Sequence, residues 1–186
     1  MGRYIAFYKP YEVLSQFTDS KGRATLKDYV NLPGIYAAGR LDYRSEGLLL
    51  LTDDGELIHR LTDPRYDHPK TYQVQVEGIC SPADLVFPPD GILLPGLQSK
   101  SAHIEIIPEP DLQPRSKAVR DYHPTTWLKV VIREGKKHQV RRMTAALGFP
   151  TLRLVRTAIG GLTLGKLQPG EWRSLSRREM ERQVFG

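Results

Sequence analysis

Residues 37–55 read AAGRLDYRSEGLLLLTDDG, which sets a glycine, an arginine and an aspartate immediately ahead of four consecutive leucines. A carboxylate placed there, Asp42, is held by rigid structure, and a fixed carboxylate serves as a nucleophile or a general base. The same residues also admit a plain structural role, with Asp42 capping a turn and Arg40 pairing with Glu46. Glycoside hydrolysis normally needs two paired carboxylates, and no second acid has a comparable setting. Further on, residues 134–143 read EGKKHQVRRM, where Lys136, Lys137, His138, Arg141 and Arg142 crowd a segment whose Val140 and Met143 have helical spacing. The five histidines show no ligand spacing, and Cys80 is the only cysteine, so neither a metal site nor a disulfide is expected.

These segments agree, in order, with a known pattern. GRLD, a hydroxyl residue at Ser45, GLLLLT and DG resemble the active-site motif of the pseudouridine synthases, in the branch typified by RsuA. Lys9-Pro10 resembles that family's short KP motif and Lys70-Thr71-Tyr72 its KxY strand. EGKKHQVRRM resembles its EGxxHQVRRM helix, and Leu154-Val155-Arg156 through Gly160, with Gly170-Glu171-Trp172-Arg173, resemble its closing motifs. Two departures stand out. Ser45 replaces the more common threonine, which keeps the hydroxyl. Only nine residues precede Pro10, whereas most of the branch carries an S4 RNA-binding domain there. The chain is most similar to the large-subunit rRNA enzymes that lack S4, in which the catalytic domain itself grips the RNA.

The resemblance implies an isomerase that detaches uracil at C1′–N1, turns it and rejoins it through C5, without a cofactor. By resemblance Asp42 is the catalytic carboxylate, Arg141 clamps it in two places with a charge that never titrates away, and Tyr72 presents its ring to the extruded base. Arg40 fills the gap left by that base, and Lys70, Lys136, Lys137, His138, Arg142 and Arg156 contact RNA. The expected partner is large-subunit rRNA, read at a weakly paired uridine that can be flipped out. A noncatalytic RNA-binding or ribosome-assembly factor on the same scaffold is the competing expectation. It has no use for a buried carboxylate facing a polyanion.

Positioning these groups requires a small set of elements. Residues 3–8 alternate as a strand, and 48–51 are too short a run for a helix and suit a central strand buried on both faces. Asp53 with Glu56 has the form of a helix start, closed by Pro64. Residues 71–76, 103–107, 127–132, 152–155 and 172–175 read as further strands, and 136–147 as a helix stopped by Gly148 and Pro150. A short helix is expected before residues 88–91, and 109–124, with three prolines, reads as an exposed loop near the substrate. The expectation is one α/β (α+β) catalytic domain over 1–186. Its mixed, largely antiparallel sheet is split into two lobes around a basic cleft, a pseudouridine synthase fold with Asp42 at the cleft floor.

Composition bounds the rest. The chain has 186 residues, 40% hydrophobic and 26% charged, which is ordinary for a globular protein. Residues 133–186 hold 12 Lys+Arg and 4 Asp+Glu, against 15 and 17 in residues 1–132, so the net charge of +6 divides as +8 and −2. Such asymmetry suits a polyanionic partner, although a solvated basic surface reads the same way. No apolar run approaches a membrane span and the first residues do not resemble a signal sequence, so a cytoplasmic location is expected; a monomer is expected separately.

Overall fold

In the computed structural model of the chain, residues 2–186 are described except for 87, 89, 95 and 121. The strands are β1 (Tyr4–Lys9), β2 (Tyr36–Ala37), β3 (Glu46–Thr52), β4 (Lys70–Glu77), β5 (Ile92–Leu94), β6 (Leu97–Ser99), β7 (His103–Ile107), β8 (Thr125–Ile132), β9 (Thr151–Ile159), β10 (Leu162–Thr163) and β11 (Trp172–Leu175). The helices are α1 (Gly55–Thr62), α2 (Gln139–Ala146) and the short α3 (Arg177–Met180). Nine strands form one sheet in the order β11-β1-β3-β9-β4-β8-β7, with β2 added on β3 and β10 on β9, while β5 and β6 make a separate hairpin. The expected mixed, mainly antiparallel sheet is therefore present. Its parallel contact, β3 against β9, spans only Glu46↔Val155 and Gly47↔Arg156 and joins the two halves.

The four leucines of β3 point alternately to the two faces and all four are buried. Leu49 and Leu51 join Phe7, Tyr72, Val74 and the α2 residues Val140 and Met143 on one face. Leu48 and Leu50 join Tyr8, Val155, Leu57 and Leu61 of α1, and Met180 and Val184 near the C-terminus on the other. Each buried leucine contributes about 2 kcal/mol of transfer free energy, so β3 is the anchor on which the preceding loop is mounted. Gly47 is required at the seam. Its φ is +106°, and a Cβ there would lie 2.3 Å from the Arg156 carbonyl oxygen, so only glycine lets β9 approach.

Several boundaries differ from the sequence reading, each for a local reason. The cap of α1 is Asp54, which accepts from the Leu57 amide at 3.1 Å. Asp53 instead accepts from the Arg3 backbone amide and guanidinium at 2.7 and 2.8 Å. Helix α2 begins three residues later than expected. Gln139 bonds back to Lys136 through both backbone and side chain, at 3.1 and 3.0 Å, and this turn ends at His138 in the left-handed region. The expected short helix is a 3-10 turn at Pro82–Leu85, followed by the unexpected β5–β6 hairpin; part of the 88–91 turn lies outside the described residues. The helix after Ser176 was also missed, although Ser176 and Glu179 form a capping box. Residues 109–124 contain no helix or strand among those described, as expected. Their anchoring was not expected: Gln113 O accepts from Arg153, and Leu112 and Gln113 line a hollow beside Tyr8, on the sheet face away from Tyr72.

Candidate active site

Asp42 lies between β2 and β3, in a turn closed by the Ser45 amide donating to the Asp42 carbonyl at 3.0 Å. The adjacent backbone is clamped by Ser15, whose hydroxyl donates to Leu41 O at 2.7 Å and accepts from Leu41 N at 3.0 Å. The carboxylate is thus mounted on β3 and braced from the N-terminal segment. It borders a pocket of about 120 Å³ whose walls include Ser45, Lys70, Tyr72, His138 and Arg156. An adjoining hollow of about 820 Å³ is lined by Arg40, Tyr43, Lys136, Lys137 and again His138 and Asp42. The nested pair has the form of a basic groove opening onto a base-sized recess.

Tyr72 is buried on β4 directly opposite Arg156 of β9, so its ring faces the recess from the sheet. Arg40 is exposed at the mouth, with one loose contact of 3.4 Å to Gln16. Lys137 is exposed in the outer hollow. Lys136 is committed within the chain, to the Glu134 carboxylate at 3.0 Å and to the Gln98 carbonyl. Arg142 is half-buried on α2.

Three expected site residues have partners that their sequence positions did not show. Arg141 does not clamp Asp42. Its guanidinium donates to Arg44 O at 2.7 Å and Thr151 O at 3.3 Å, tying α2 to the Asp42 turn and to β9. Burial lowers its pKa, and the Asp42 charge is the leading opposing influence, so the two attract without touching. Among the described residues, Asp42 Oδ2 lies 3.1 Å from His138 Nδ1, an ion pair whenever the imidazole is protonated. His138, expected as an RNA contact, precedes the helix in a left-handed turn at φ 53° that also brings it to the carboxylate. Arg156 is only 3% exposed and cannot reach an RNA backbone from outside. Its Nε donates to Leu48 O at 2.8 Å across the β3–β9 seam.

Two lysines complete the electrostatics, Lys9 buried and Lys70 half-buried. Lys9 donates to Pro10 O at 2.8 Å and Val13 O at 2.7 Å, and burial pushes its pKa down to about 7 against the charges of Glu46 and Asp42. Lys70 is pushed down to about 8 by burial and then by Arg156. Glu46 is itself consumed by a buried two-point pair with Arg153 at 2.9 and 3.1 Å, which leaves Asp42 as the uncommitted acid acting on Lys9, while Asp67 and Glu134 are the acids acting on Lys70. A hub missed from sequence is Glu134. Burial alone would raise its pKa, but donors from Lys136, the Lys100 amide at 2.7 Å and Gln139 at 2.5 Å outweigh that and hold it low. Its acidic letter in EGKKHQVRRM was the available signal. Among the described residues no three His, Cys, Asp or Glu side chains gather as a metal site.

This geometry agrees with comparisons to other proteins. The sequence pattern described as RNA pseudouridylate synthase matches residues 3–146. The chain is 52% identical over 182 residues to "Ribosomal large subunit pseudouridine synthase E" of Vibrio vulnificus, covering 94% of this chain and 75% of the relative. It is 54% identical over 174 residues to the protein of the same name from Xanthomonas campestris, covering 91% and 93%. A solved structure described as "Crystal structure of pseudouridylate synthase" superimposes with a TM-score of 0.80 at 33% identity, over 99% of this chain and 74% of that one. A lone carboxylate beside a recessed tyrosine, on this sheet and with these relatives, makes the chain a member of the RNA pseudouridylate synthase family.

Proposed function

We propose that this protein isomerises a specific uridine of large-subunit ribosomal RNA to pseudouridine, with Asp42 as the carboxylate that opens the glycosidic bond. The observation that carries the reading is that Asp42 alone, among basic groups and beside the Tyr72 ring, borders a recess sized for one base. Relatives at 50–54% identity named for large-subunit rRNA support the substrate class. The groove with Arg40 and Lys137 suits a phosphate backbone, whose contacts position without reading sequence. The recess requires a base taken out of its stack, which costs least in a loop or bulge.

In this reading Tyr72 stacks on the extruded uracil and Arg40 enters the vacated space. Arg141 acts at one remove, by fixing the Arg44 carbonyl and hence the turn that carries Asp42. His138 holds the carboxylate until substrate arrives. The enzyme works as a cytoplasmic monomer without a cofactor; among the described residues no helix is long and apolar enough to cross a membrane. The test is a map of pseudouridines across ribosomal RNA from cells with and without the gene. One site in large-subunit rRNA disappears with the gene and returns with purified protein. An unchanged map overturns the proposal and favours a noncatalytic RNA-binding role.

A further inference from the structure

The floor of the recess holds two polar atoms with nothing to bond. Arg156 Nη2 and Ser45 Oγ are shielded from solvent and have no hydrogen-bond partner. Ser45 is 1% exposed and Arg156 is 3% exposed. Unpaired buried donors cost free energy and are rare in folded proteins, and an unpaired guanidinium nitrogen is costlier still. Both residues wall the 120 Å³ pocket that Asp42 and Tyr72 also line. That volume equals about four waters of liquid, which suits one planar ring. Local packing also fixes the donor in place: Arg156 Nε is spent on Leu48 O, and Gly47 lets the two strands close on it.

We infer that Arg156, assisted by the Ser45 hydroxyl, binds a uracil carbonyl oxygen and stabilises the detached base as an anion. This rests on the proposed reaction. When the C1′–N1 bond breaks, its electron pair leaves with the base, where it spreads from N1 onto the carbonyl oxygens. The sugar side is balanced either by an Asp42 oxygen bonded to C1′ or by a C1′–C2′ double bond after Asp42 takes the C2′ proton. Rejoining reverses the flow. C5 supplies a pair to C1′, Asp42 leaves C1′ or returns the proton to C2′, the C5 proton departs to water and N1 gains one. Stabilisation aimed at charge that develops only during reaction is the most effective kind.

The surrounding charges support the assignment. Buried Lys9 and half-buried Lys70 lie near Arg156, and the charge of Arg156 is among the causes depressing both pKa values. An anion arriving between them relieves that repulsion. Arginine suits the position because its charge persists at any working pH and its fork presents a second nitrogen once the first is engaged. Base entry also requires the pocket to open, and His138, 47% exposed and paired to Asp42, is placed to swing away.

The experiment compares single-turnover rates on RNA carrying uridine or 4-thiouridine at the target, for wild type, Arg156→Lys and Ser45→Ala. Sulfur spreads negative charge better than oxygen, so the thio base leaves as a more stable anion and depends less on the protein. Arg156→Lys is expected to slow uridine by about 10²–10³-fold, the usual loss for one anion-stabilising donor, and 4-thiouridine by about tenfold less, with RNA affinity within about twofold. Ser45→Ala removes an unbonded hydroxyl, so it keeps the fold and shows a smaller loss with the same thio preference. If Arg156→Lys fails to fold, Ser45→Ala still decides the matter. Equal losses on both bases, or wild-type rates in the variants, overturn the inference while leaving the proposed function intact. A wild-type protein that forms no pseudouridine on any ribosomal RNA removes both.

Discussion

Asp42→Asn keeps the shape of the proposed catalytic side chain and removes its charge, and the surroundings determine what else should change. The direct partner lost is His138, at 3.1 Å, with side chains 47% and 31% exposed. A pair so open to water contributes about 0.2–1 kcal/mol. In a chain of this length that is a fall in Tm of no more than about 2–4 °C. The longer-range support that Asp42 gives to buried Lys9 and Arg141 also disappears, which lowers both pKa values further without breaking a hydrogen bond. RNA affinity should hold or rise. One unit charge about 10 Å from a phosphate is worth roughly 0.4 kcal/mol in water, or about twofold in Kd. Turnover, by contrast, should fall by about 10⁴-fold or more, the scale seen when an essential catalytic group is removed. The assay measures thermal unfolding, RNA binding and single-turnover pseudouridine formation on one preparation. A variant that retains near wild-type turnover refutes the reasoning, and so does one whose stability, binding and activity fall together, since that is the mark of a structural aspartate.

Three further outcomes follow from particular contacts. Lys9 is neutral in the folded chain above about pH 7 and protonated in the unfolded chain up to its ordinary value of 10.5. The unfolded chain binds more protons across that window, so stability rises with pH there, by at most about 1.4 kcal/mol per unit. Lys9→Met should remove that slope from urea unfolding measured between pH 8 and 10, leaving the smaller rise of the same sign due to Lys70; identical slopes would show that Lys9 is not depressed. Glu134→Gln places an amide among donors from Lys100, Lys136 and Gln139. It should cost about 1–3 kcal/mol and lower kcat more than RNA affinity, because the turn that aims His138 loosens; unchanged melting and kinetics would count against the hub. Lys137→Ala should weaken RNA binding and reduce the slope of log K against log salt by about 0.7–0.9. Lys136→Ala should change that slope less, since its ammonium is already held by Glu134, and equal slopes for the two variants would contradict the structure.

The sequence by itself determined the elements that pack hardest and singled out the carboxylate proposed for the chemistry. Four leucines in a row have one stable home, a strand buried on both faces, so β3 and the carboxylate just ahead of it were legible from local pattern alone. The strand at 103–107 and that at 172–175 were read with their observed bounds, because alternation and flanking breakers act locally. Side-chain partnership was a different matter. Arg141 and His138 sit three residues apart in EGKKHQVRRM, and only the left-handed turn at His138, held by Gln139 and the buried Glu134, decides which of them meets Asp42. The resemblance marked Arg156 as an RNA contact but not where in the site it lies. It is buried because Gly47, 109 positions earlier in the chain, lets β9 close against β3. The KP motif marked Lys9 without indicating what it touches, and Ser15 carried no signal, since their partners are backbone groups, which every residue possesses. Periodicity fixes which face a residue occupies, but long-range strand pairing fixes what that face meets, and the floor of this site is made where two distant strands touch over two residues.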